Sequence, residues 1–123
     1  MKTLIKTARA AMITMAMLAG TAAVAQDITI AVVPKVAVPF FDDCNTGAQA
    51  AADALGVGYQ WVVPQNTQGA TQVKIMEDLI ARHVSGIAIS VNEPKSVEGV
   101  IKQAMDAGIK VVTFDSDSAE SGR

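Results

Sequence analysis

Beyond residue 27 the chain alternates short apolar runs with longer stretches whose apolar residues fall three and four apart. Ile28 to Val33 is apolar except for Thr29 and stops at Pro34, the pattern of a buried strand. Over residues 40–55, Phe41, Cys44, Ala48, Ala51, Ala52 and Leu55 share one helical face, and Gly56 supplies a left-handed stop. Tyr59 to Val63 predicts a second strand, closed by Pro64. After the polar loop Gln65–Gly69, a helix is expected over 70–83, with Val73, Met76, Leu79 and Ile80 inward. Ser85-Gly86 breaks it. Ile87 to Val91 is nearly all apolar, as in a strand covered on both faces. Asn92-Glu93-Pro94 opens a third helix with the stripe Val97, Val100, Ile101 and Ala104, and Gly108 ends it. Ile109 to Phe114 predicts a fourth strand, and a polar run follows to Arg123. The order βαβαβαβ with helical, right-handed crossovers predicts the α/β class, as a doubly wound parallel sheet.

Residues 1–25 follow another pattern. Lys2, Lys6 and Arg9 make a basic start, Ala10 to Ala19 is apolar apart from one threonine, and Ala23-Val24-Ala25 is a small-x-small cleavage signal. These are the three parts of a secretory signal peptide, with cleavage expected after Ala25. The apolar run is shorter than the about 20 residues a spanning helix needs. Removing 25 residues and three cations from 123 and ten leaves 98 residues with seven cations against twelve acids, a net charge of −5. Residues 26–123 are expected to form a soluble lobe in the periplasm.

Composition narrows the function. Half of the residues are hydrophobic, so a packed core is available. The acidic balance argues against nucleic acid as a partner. One cysteine, Cys44, excludes a disulfide scaffold; its place on the helical stripe predicts a buried, inert thiol. No G-x-G-x-x-G follows the first strand, and there is no Walker loop or G-x-S-x-G elbow. One histidine cannot build a histidine-rich metal site. No cofactor and no catalysis are expected. Asp42, Asp43, Asp115 and Asp117 superficially resemble the acidic pocket of a phospho-receiver, but the export signal removes the chain from cytoplasmic phosphoryl donors.

Ligands of such sheets bind at the carboxyl ends of the strands. The four loops there carry Lys35, Phe40, Phe41, Asn66, Asn92, Asp115 and Asp117. Rings stack on the C–H faces of a sugar, and charged groups bond its hydroxyls. Each position also has a purely structural role open to it. Phe41 fits the helix core and Lys35 could be a solvated loop residue. Asn92 could cap the third helix; Asp115 and, more so, Asp117 could turn the chain. His83 is expected as a partly buried helix end, and Trp61 as core.

The segments Ile-Ala-Val-Val-Pro-Lys35, Pro39-Phe40-Phe41, Asp78-Leu79-Ile80, Ala107-Gly108-Ile109 and Val-Val-Thr-Phe-Asp115-Ser-Asp117 after a signal peptide resemble the periplasmic sugar-binding proteins of ABC importers, the ribose-binding type. The resemblance covers residues 26 to 123. It implies a two-lobed protein, monomeric at full length, that closes on a sugar or polyol-like ligand and hands it to an inner-membrane permease. It implies ring contacts from Phe40 and Phe41 and hydroxyl contacts from Asp115. Val38 and Ser116 stand where ribose binders carry asparagine and arginine, which points away from ribose. The Lys35 and Asp115-Ser116-Asp117 segments are similar to the branch of autoinducer-2 receptors, and rhamnose and sugar-alcohol binders are also similar. The lobe is expected to be incomplete, as the piece of a longer protein. A sugar-like signal receptor and a secreted α/β enzyme fragment are the alternatives.

Overall fold

The structure, a computed structural model, describes residues 27–123. The expected signal peptide, 1–25, lies outside the described residues. The elements run β1 (Thr29–Val33), a 3-10 turn (Pro39–Phe41), α1 (Asp42–Leu55), β2 (Gly58–Trp61), α2 (Gly69–Ala81), β3 (Gly86–Ile89), α3 (Pro94–Asp106), β4 (Lys110–Thr113) and a second 3-10 turn (Ala119–Ser121). All four strands are parallel, in the order β2-β1-β3-β4. The doubly wound sheet expected from the alternation is present. Its strand order reverses between β1 and β3, and in open sheets of this kind such a switch point is where ligands bind.

The two faces of the sheet are covered unequally. Ala31, Val33, Ile87 and Ile89 point to the α2–α3 side, where they meet Met76, Leu79, Val97, Val100, Ile101 and Ala104 in one closed core. On the other face α1 buries only Ala52 of its own residues, with Val32 beneath it. Strand alternation puts Val112 on that same face, and it is left 58% exposed.

Several expectations are corrected here. Cys44 is exposed, not buried, because the stripe of α1 that meets the sheet is narrower than its apolar face. Leu55 and Ala51 are exposed for the same reason. Trp61 is half-buried, not core, because β2 is an edge strand and Trp61 is its last residue. His83 is exposed rather than partly buried. It sits just past α2 with φ 54°, taking the left-handed place that glycine takes at Gly56 (φ 65°) after α1.

Candidate functional site

Pro34 and Lys35 follow β1, Ser90 and Asn92 follow β3, and Asp115 follows β4, so the switch point gathers them at one end of the sheet. Asp115 is presented by a tight turn: the Ser116 N–H donates to the Phe114 carbonyl at 2.6 Å, and Asp115 has φ 60°. A non-glycine residue in that region is uncommon, and such backbone persists where the surroundings hold it. Here they do. The Ser90 hydroxyl donates to Asp115 Oδ2 at 2.7 Å, the Ser116 hydroxyl lies at 3.4 Å, and Lys35 Nζ pairs with the same oxygen at 3.2 Å. The Ser90 and Lys35 hydrogen bonds hold the Asp115 carboxyl below the usual carboxylate range, against a smaller opposing effect of desolvation. Lys35 and Asp115 each keep about a third of their side-chain surface open, 32% and 31%.

Asn92 does not cap α3. Glu93 holds the cap position, and its carboxylate accepts the Ser96 hydroxyl at 2.9 Å. The Asn92 amide instead donates from Nδ2 to the Lys35 carbonyl at 3.0 Å, clamping the β1 loop to the β3 loop. Every side-chain contact of Asp115 among the described residues runs through Oδ2, and Asn92 Oδ1 has no partner there. Two acceptor oxygens without a partner among the described residues and an ammonium are thus gathered at one sheet end, a set complementary to a vicinal diol.

The remaining expected site residues separate. Phe40 stands out at 69% exposed, while Phe41 is buried, its ring 5.0 Å from Phe40 and 6.1 Å from Phe114, both edge-on. Asp117 points elsewhere: Oδ1 accepts the Thr113 hydroxyl at 3.0 Å and the Ser118 N–H, and pairs with Arg123. Asn66 serves its own loop, accepting from the Gln68 N–H and the Thr71 hydroxyl. A separate hollow of about 250 Å³, bounded by Val36–Pro39, Phe41, Asp42, Trp61 and Val63, does not include Lys35, Phe40, Asn92 or Asp115. Among the described residues no cluster of metal-ligating side chains is present.

Sequence reasoning missed Gln72. It lies on α2, fully buried under the cluster, with Nε2 donating to the Ser90 carbonyl at 2.7 Å and Oε1 accepting the Asn92 N–H at 2.8 Å. The signal was present: Gln72, Met76 and Leu79 follow helical spacing, so a polar residue interrupts an apolar stripe.

A family model described as periplasmic binding protein domain matches residues 30–123. The chain is 31% identical over 98 residues to the ribose import binding protein of Escherichia coli, covering 80% of this chain and 33% of that protein. A solute binding protein of Burkholderia graminis, solved in complex with D-arabinose, is 75% identical with a TM-score of 0.78, over 80% of this chain and 34% of that one. A protein of Clostridium saccharobutylicum solved with AI-2 is 30% identical, TM-score 0.70, over 73% of this chain and 28% of that one. The chain thus spans about a third of the length of these relatives.

Proposed function

The chain belongs to the periplasmic binding protein domain family, and from that premise we propose that it forms one wall of a sugar site in the solute-binding component of an ABC importer. The observation that carries the reading is the Lys35–Asp115 pair at the switch point, steadied by Ser90 and Asn92. A carboxylate with one free oxygen beside an ammonium meets adjacent hydroxyls with charge-assisted hydrogen bonds. Phe40, exposed on the loop after β1, is the ring that stacks on the sugar. Phe41 acts from below, as the buried support of that ring. Asp117 acts at one remove, by holding the loop after β4 against Arg123. The protein is a carrier, not an enzyme; its partners are the ligand and an inner-membrane permease, and it works as a periplasmic monomer.

A pentose is the favoured ligand, because the 75% identical relative was solved with D-arabinose. The autoinducer-2 reading rests on the 30% identical relative and on the Lys35 and Asp115 segments, and rhamnose and sugar alcohols remain in the comparison panel. The test is calorimetric titration of the exported polypeptide, purified from the periplasm, with D-arabinose, ribose, xylose, rhamnose and autoinducer-2. Saturable binding with a pentose tightest supports the proposal. Tightest binding of autoinducer-2 selects the receptor reading, and binding of none overturns both. Export itself is tested by the intact mass, which places the N-terminus at Gln26 if cleavage follows Ala25.

A further inference from the structure

Five residues close a ring of hydrogen bonds at the candidate site. Gln72 Nε2 donates to the Ser90 carbonyl, and the Ser90 hydroxyl donates to Asp115 Oδ2. Lys35 Nζ pairs with that oxygen, Asn92 Nδ2 donates to the Lys35 carbonyl, and the Asn92 N–H returns to Gln72 Oε1. Four of the five sit on loops at strand ends. Gln72 alone comes from a helix, and like Ser90 it is fully buried. A second, longer contact from Nε2, at 3.5 Å, reaches the Pro34 carbonyl beside Lys35.

We propose that Gln72 is the positioning residue of the ligand site, setting its affinity by fixing the backbones of Ser90 and Asn92 and, through them, Asp115 and Lys35. The inference rests on the sugar-site reading above. Both polar ends of Gln72 are occupied within the protein, so it acts only through its partners. Removing them leaves the buried Ser90 carbonyl and the part-buried Asn92 N–H without their side-chain partner. The loops then move to recover hydrogen bonds, and the site loses its fixed geometry.

The test compares Gln72→Met, which keeps volume but neither hydrogen-bonding end, with Leu79→Ala, a cavity in the same helix about two turns away. Affinity for D-arabinose, melting temperature and hydrogen exchange at the Asn92 amide are read on the exported polypeptide. Gln72→Met is expected to weaken binding at least about tenfold and to unprotect the Asn92 amide. Leu79→Ala lowers the melting temperature but leaves the affinity within about twofold of wild type. Wild-type affinity in Gln72→Met, or an equal loss in Leu79→Ala, overturns the inference while the sugar-site reading stands. Absence of saccharide binding in the wild type overturns that reading, and the inference with it.

Discussion

Asp115 has its carboxyl shifted by hydrogen bonds from Ser90 and Lys35. Its folded-state carboxyl titrates below its ordinary value, so the contribution of its ionised form is present above about pH 4 and is lost as pH falls through the lowered folded value. Affinity for the saccharide is therefore expected to be flat through neutrality and to fall in that acid window. Asp115→Asn, which cannot pair with Lys35 as an ion, is expected to lose at least about tenfold in affinity at neutral pH and to flatten the acid limb; titrations at several pH values read both. The two adjacent phenylalanines divide their labour by burial. Phe41→Ala removes a nearly buried ring wedged between Phe40 and Phe114, and a loss of about 3 kcal/mol or more in chemical denaturation is expected. Phe40→Ala is expected to leave stability within about 0.5 kcal/mol and to weaken binding several-fold, because its ring is mostly in water until a ligand covers it.

The helices differ in how firmly they are seated. α2 and α3 approach so closely at their N-termini that a Cβ on Gly69 would stand 2.6 Å from the Ser96 Cβ and 2.8 Å from Glu93 Oε2. Gly69→Ala forces the two helices apart, and a loss of about 1–3 kcal/mol is expected, seen as a lower melting temperature. α1 has no such partner helix among the described residues, and its thiol faces outward. Cys44 should therefore react with a bulky thiol reagent in the native protein at the rate of an exposed cysteine; protection until denaturant is added would contradict this placement of α1.

At the level of the whole molecule, one sheet end supplies one wall. Well-formed small-molecule sites bury most of the ligand surface, whereas this wall leaves Lys35, Asp115 and Phe40 open on their outer sides. Residues 26–123 prepared alone are accordingly expected to show no saturable D-arabinose isotherm at concentrations where the exported polypeptide saturates. Equal affinity in the two preparations would show that this wall is sufficient.

Element type and order were legible along the chain because burial imposes a period of two or of 3.6 on the residues that carry it. Val97, Val100, Ile101 and Ala104 were assigned to the core from spacing, and all four are buried there. Lys35, Asn92 and Asp115 were assigned to one rim because alternating strands and helices place every second set of loops at the same sheet end, and they meet there in hydrogen-bonding range. The family resemblance added the expectation of a sugar as ligand. What folding in three dimensions decided was everything that depends on a partner distant in sequence. Cys44 and Leu55 satisfy the helical period, yet the surface opposite them is solvent. Asn92 has the composition of a cap, yet a carbonyl 57 residues away claims its amide. Gln72 reads as a polar helix residue until two loops close over it. Periodicity is a property of one segment against an unspecified apolar surface. Hydrogen-bond partners and unequal cover are properties of pairs of segments, set only when the sheet brings them together.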